Sequence, residues 1–241
     1  MTHGVASEDT EVQDDQLADE ERPSRQAPRA LVLSAAALAV LLVGAAIGML
    51  ITFATVDEPT KPTEGSVDVG FSQDMQVHHL QAVTMANIAR ETSTDESVRR
   101  LAFDIQSTQL GQVGEMAGWL TVWGQPEAVH GRQYMTWMSG AGGHAHGGQP
   151  MPDGGMARMP GMASTEELNK LRALRGPELD VFFLQLMLRH HQGGLGMAQF
   201  AAQRATEPYV RNLAQKMVDG QKKEVEFMTT LLAQRGAAPL P

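Results

Sequence analysis

Adding 112 to a residue number maps one stretch of this chain onto another without a gap, and no other feature constrains the fold as strongly. Asp68 meets Asp180, Phe71 meets Phe183 and Gln73 meets Gln185. The register continues through His78/His190, His79/His191, Val98/Val210, Arg99/Arg211, Gln109/Gln221 and Leu120/Leu232, up to Gly124/Gly236. Each copy, 68–124 and 180–236, holds two helix-length segments. Two such units are too few for a solenoid, which needs three or more to bury a continuous core. The expected architecture is therefore all-α: duplicated helical hairpins that close on each other as a four-helix bundle.

At the heart of each copy a double histidine sits between methionines, MQVHHLQAVTM at Met75–Met85 and MLRHHQGGLGM at Met187–Met197. At about 100° per residue, Met75, His78, His79, Ala82, Met85 and Ala86 share roughly a third of a helix circumference. Thioether and imidazole together suit Cu(I) and repel hard ions such as Mg²⁺ or Ca²⁺. The candidate ligands are His78, His79, His190 and His191 with Met75, Met85, Met187 and Met197. Met116 and Met228 join them, because each lies on the apolar face of its own helix with Gln109 or Gln221. A core amide needs a partner. Gln109 and Gln221 either hydrogen-bond the second ring nitrogens and orient the imidazoles, or bond backbone or water at an ordinary bundle layer. A methionine at helical spacing is by itself more often core filler. An imidazole on an apolar face, however, requires a hydrogen-bond partner or a metal, and two pairs repeated in register favour ligands.

The chain of 241 residues carries a net charge of −9 and no cysteine. An acidic balance leaves no basic footprint for nucleic acid. The lack of cysteine excludes disulfides, thiolate metal sites and thiol nucleophiles. Residues 1–29 are acidic and poor in large apolar side chains, and read as a disordered cytoplasmic tail. The segment 30–55 is apolar and long enough, at about 1.5 Å per residue, to cross a hydrocarbon core of roughly 30 Å. Arg22, Arg25 and Arg29 precede it while Asp57 and Glu58 follow, so the amino terminus is expected inside and the bulk of the chain outside the cell membrane. A cleaved signal peptide competes, although its apolar region is usually shorter and followed by an A-x-A-like site. Gly44 and Gly48 form a small-xxx-small pair of the kind that lets two spans approach as a homodimer, a pattern Ala/Gly-rich spans also carry by chance.

A linker, 56–66, leads into the bundle at 67–236. Ser93 with Glu96 reads as a capping box for the second helix, and Ser164 with Glu167 as another before a short helix. The crossover 125–176 far exceeds an ordinary helix-helix turn, so it is expected to cross the bundle and to be largely mobile. It carries His130, Met135, Met138, His144, His146, Met151, Met156, Met159 and Met162. His144, His146, Met156, Met159 and Met162 are candidate groups for capturing metal in the loop, against the alternative that the methionines merely cover the bundle.

The HHQ motif at His190–Gln192 followed by Met197 and Ala198, its variant at His78, His79, Met85 and Ala86, and the MPGM segment at Met159–Met162 resemble the domain-of-unknown-function 305 family over about Asp68 to Gly236. The resemblance implies a ferritin-like helical bundle, often extracytoplasmic, in which some members bind copper or silver. Di-iron bundles use Glu-x-x-His, whereas Met75 and Met187 stand three residues before each first histidine here, and no catalytic motif appears. The favoured reading is a non-enzymatic, membrane-anchored protein that sequesters Cu(I) or passes it to or from a donor or acceptor protein. A helical interaction module at the membrane is the alternative, and a metal-dependent oxidase ranks last. A ferritin-like crossover would also place the start of the first bundle helix beside the start of the last. Asp68 would then approach Arg211, and Asp180 would approach Arg99.

Overall fold

The computed structural model describes residues 28–55, 60–128, 131–139 and 154–240. These are helical: α1 Arg29–Thr55, α2 Val67–Thr92, α3 Glu96–Trp123, α4 Thr165–Ala173, α5 Gly176–Arg204 and α6 Pro208–Gln234, with a 3₁₀ turn at Thr136–Met138. Most of the tail expected at 1–29, and His130, His144, His146 and Met151, lie outside the described residues.

α1 belongs to a separate unit from the rest of the chain, which forms one compact body from Thr60 to Pro241. Its mean hydropathy over the best window is 2.6, so it is long and apolar enough to cross a bilayer, in the position of a signal anchor or a transmembrane span.

In the compact body the helix ends follow from local chemistry. Ser66 caps α2 by accepting from the Val69 amide, and Asp68 sits favourably in the first turn. The expected Ser93/Glu96 box does not form. Asp95 caps α3 instead, accepting from Ser97 and Val98 N–H at 2.9 and 3.2 Å, while Ser93 terminates α2 and its hydroxyl accepts from the Asp95 amide. The Ser164/Glu167 box before α4 is present in full. Pro177 occupies the first turn of α5, where its missing N–H is harmless. Gly124 ends α3 in the left-handed conformation, φ 70°.

Two contacts fix the topology. The Asp68 carboxylate accepts from the Thr206 and Glu207 amides at 3.0 and 2.8 Å, so the starts of α2 and α6 lie together. Arg235 pairs with Asp95, which brings the end of α6 to the start of α3. Hence α2 runs parallel to α6, α3 runs parallel to α5, and α2 packs antiparallel against α5. An up-down-up-down bundle would have separated these groups by nearly its length. The expected Asp–Arg pairs do not form, however. Asp68 is engaged by backbone, Arg211 donates to the Ala205 and Thr206 carbonyls, Arg99 is exposed, and Asp180 Oδ1 is buried without a partner. A carboxylate beside a helix start is met first by the free amides of that start.

The 112-residue register survives in the contacts. Gln73 donates to the Pro126 carbonyl and Gln185 to that of Ala238. The core falls into two clusters. One holds Met85, Met187 and Met228 with Ile105, Phe183 and Leu232. The other holds Met75, Met116 and Met197 with Phe71, Leu120 and Met217.

The described parts of the crossover are packed. Buried Asp74 accepts from Arg132 Nη2 at 2.5 Å, Met135 N–H at 2.6 Å and Trp137 Nε1–H at 2.8 Å. Desolvation in this setting raises its pKa above the ordinary carboxylate value. The Trp137 ring lies on Gly70, where a Cβ would stand only 2.4 Å from it. Farther on, Gln81 binds Ala163 through both amide atoms, Ala163 N–H to Oε1 at 2.6 Å and Nε2–H to the Ala163 carbonyl at 3.0 Å. These ties make a strap of 159–163, correcting the expectation of a largely mobile segment there.

Candidate metal centre

α2 and α5 pack against each other, each carrying one of the histidine pairs. All four imidazoles are buried. The rings of His78 and His190, one from each copy, approach to 3.8 Å between centroids.

Each ring holds one nitrogen in a hydrogen bond. His78 Nε2 meets the Pro160 carbonyl at 3.2 Å and His190 Nε2 the His78 carbonyl at 3.0 Å. His79 Nε2 meets Gln112 Oε1 at 2.7 Å, and His191 Nε2 meets Glu224 Oε2 at 2.6 Å. All four partners are oxygen acceptors, so every Nε2 carries the proton. Burial lowers the pKa of His78 to about 4 and of His79 to about 3. It also holds His190 well below its ordinary value. A neutral ring protonated at Nε2 has its lone pair on Nδ1. All four Nδ1 atoms are buried and have no hydrogen-bond partner.

Buried polar atoms are nearly always satisfied, and exceptions call for an explanation. Here the orphans are four nitrogen lone pairs, joined by the amide oxygens Gln109 Oε1 and Gln221 Oε1. Gln221 Oε1 and His78 Nδ1 both lie against Gly194, at 3.2 and 3.4 Å from where its Cβ would be. Acceptors without donors are what a Lewis acid would satisfy, which makes these residues candidates for holding a metal ion. Among the described residues no three His, Asp or Glu side chains converge as a site of their own. A metal held here would draw on thioethers or amide oxygens besides imidazole.

The thioethers stand on either side of the imidazole layer. Met187 is one turn before His191 on α5, Met228 one turn after Glu224 on α6, and Met85 shares their cluster. Met75, Met116 and Met197, their counterparts in the 112-residue register, share the other cluster. All ten of these residues are buried, with the six methionines divided between two core clusters.

Two expectations change. Gln109 and Gln221 do not orient the rings; Gln112 and Glu224, one turn farther along the same helices, bond the second nitrogens of His79 and His191. They are themselves 112 apart, and this spacing was the available signal, hidden because one copy has Gln and the other Glu. Met159 is buried in the core cluster with Met75 and Met116, and Met156 and Met162 pack against it, so these three are not a free capture loop. The Pro160–Gly161 backbone lies directly on α5, since a Cβ at Gly193 would fall 2.3 Å from the Pro160 oxygen and one at Gly161 2.4 Å from the Arg189 oxygen. His144 and His146 fall outside the described residues.

Fold and centre together define a helical protein whose middle layer holds four buried imidazoles, each fixed by a hydrogen bond at Nε2. The chain belongs to the family described as domain of unknown function (DUF305), whose pattern it matches over residues 68–232. It is similar to the crystal structure of a DUF305 protein from Streptomyces coelicolor, described as secreted, with 42% identity, 74% of this chain and 99% of that one covered, and a TM-score of 0.64. A DUF305 fragment from Deinococcus radiodurans is 34% identical, with 73% and 99% covered and a TM-score of 0.56. CopM in its Cu(I)-bound form shares the fold at 20% identity, with 69% and 96% covered and a TM-score of 0.50. CopM has also been crystallised bound to Cu(II) and to Ag. No curated protein matches.

Proposed function

We propose that this chain is a membrane-anchored, extracytoplasmic, non-enzymatic protein that holds Cu(I), with Ag(I) as a mimic, for sequestration or for transfer to a partner protein. The observation that carries the reading is the set of four buried Nδ1 lone pairs, each fixed by a proton committed at Nε2. Imidazole and thioether are the ligands for a soft monovalent ion, and with no thiolate in the chain they are the soft donors it has. Members of the family that bind copper or silver support the same reading. α1 has the length and hydropathy of an anchor, and the arginines before it favour an inside amino terminus.

The test is a Cu(I) titration of the full chain in detergent, without a His tag, against a chromophoric Cu(I) chelator. His78, His79, His190 and His191 changed together to Ala should abolish tight Cu(I) and Ag(I) uptake while the helical circular dichroism persists. Unchanged affinity in that variant would refute the centre. A wild-type chain that takes up neither ion would leave the layer as the core of a helical interaction module.

A further inference from the structure

Behind one imidazole of each pair the two copies differ in charge. His79 is held by the neutral amide of Gln112, and His191 by the carboxylate of Glu224, through the same ring atom and at equivalent places 112 residues apart. Glu224 is three-quarters buried on its side chain, and the His191 ring is fully buried. It lines a groove of about 630 Å³ between α3 and α6 with Glu96, Arg100, Asp104, Lys223 and Phe227. Its charge is thus reachable from solvent on one edge and joined to a ligand on the other.

We infer that the two halves of the centre hold Cu(I) unequally: the half built on His191, Met187, Met228 and Glu224 is the tighter, and the half built on His79, Met75, Met116 and Gln112 the weaker. The inference rests on the proposed function. A Cu(I) ion bound by imidazole and thioether brings one positive charge into the buried layer. A carboxylate across the ring offsets that charge and makes the opposite nitrogen a stronger donor; an amide oxygen does so far less. Partners of this kind shift metal affinity about 10- to 100-fold. Being open to solvent at the groove, the charge of Glu224 is partly screened, which points to the lower part of that range. The outcome is a graded pair, in which the ion on the weaker half is the one released first.

Titration of the full chain in detergent with Cu(I) buffered by bicinchoninate should show two phases separated by about 10-fold or more. H191A should remove the tight phase and H79A the weak one. E224Q should weaken the tight phase about 10-fold or more without changing the stoichiometry, and Q112E should tighten the weak phase by a similar factor. The second change is a gain that a merely structural role would not produce. Two phases of equal affinity in the wild type, or an E224Q variant with both phases unmoved, would overturn the inference while leaving the metal centre intact. No uptake by the wild type would overturn the proposed function itself.

Discussion

Gly193 is the position where a single methyl group tests how the crossover is seated on the centre. It lies inside α5, one residue beyond the HHQ motif, and the Pro160–Gly161 peptide rests on it. A Cβ there would stand 2.3 Å from the Pro160 oxygen, 2.4 Å from its carbonyl carbon and 2.6 Å from the Gly161 nitrogen. All three are backbone atoms, which cannot swing aside as a side-chain tip can. The strap is held on its other side by Gln81 through both amide atoms, and Gly161 is itself pressed against the Arg189 oxygen. Forcing extra volume into such a contact costs about 1–3 kcal/mol. Moving the Pro160 carbonyl also weakens its bond from His78, worth about 0.5–1.5 kcal/mol. Against this, alanine is a better helix former than glycine by about 0.8–1.0 kcal/mol. The balance for Gly193→Ala is a loss of roughly 1–3 kcal/mol, or about 3–10 °C in Tm for a body of this size. Gly220→Ala is the control, because it lies inside α6 with nothing within 4 Å of its Cβ and should raise stability by up to about 1 kcal/mol. Thermal melts of the metal-free full chain, followed at 222 nm, measure both. If Gly193→Ala melts at or above the wild type, as Gly220→Ala should, the strap does not rest on α5 as described.

Stability of the metal-free protein should fall steeply in mild acid. His78 and His79 titrate near 6.5 when unfolded but near 4 and 3 when folded, so the unfolded state binds protons first as pH drops. Their contribution is present above about pH 6.5 and lost from there down towards 4 and 3, at up to about 1.4 kcal/mol per pH unit for each ring; a chemical-denaturation midpoint flat between pH 6.5 and 4.5 would contradict it. Changing Met75, Met116 and Met197 together to Leu conserves volume and should cost less than about 1.5 kcal/mol per site. It should nevertheless remove one of the two Cu(I) phases seen by chelator competition, and retention of both would show these sulfurs to be packing only.

The fold was legible because its signals are periodic and repeated: the register at 112, the apolar faces of α2 and α5, and the turn residues Gly124, Pro177 and Ser164. The cap of α3 was misread because Ser93 and Asp95 both suit an N-cap, and only the backbone path decides which of them the helix uses. That the histidines and helix-borne methionines face the core was legible from spacing alone. Gln112, Glu224 and the Pro160 carbonyl were not. An acceptor for a ring nitrogen is defined by where the ring points, and no periodicity records that direction. The strap escaped for a related reason, since Gly and Pro signal a turn but not which surface the turn will lie against. Gly70, Gly161 and Gly193 are small because something else occupies their space, and a sequence shows the missing side chain without showing the occupant.

The same burial that pushes the imidazole pKa values down decides what the centre can hold. A solvent-exposed histidine, with a pKa near 6.5, gives up its lone pair to a proton in mildly acidic surroundings. At His78 and His79 protonation waits until about pH 4 and 3, so protons do not compete for Nδ1 across the physiological range. Hard divalent ions are disfavoured by the same walls: Mg²⁺ sheds water reluctantly and demands oxygen ligands, while the layer offers nitrogen, sulfur and two amide oxygens, with Glu224 turned to Nε2 rather than to the lone pairs. A soft monovalent ion meets neither obstacle. Preorganisation follows from the hydrogen bonds, because no ring can turn its Nδ1 away without giving up an acceptor at Nε2. In the proposed function, selectivity rests on these ligands and on the four acceptors that orient them, two of which, Gln112 and Glu224, differ between the halves.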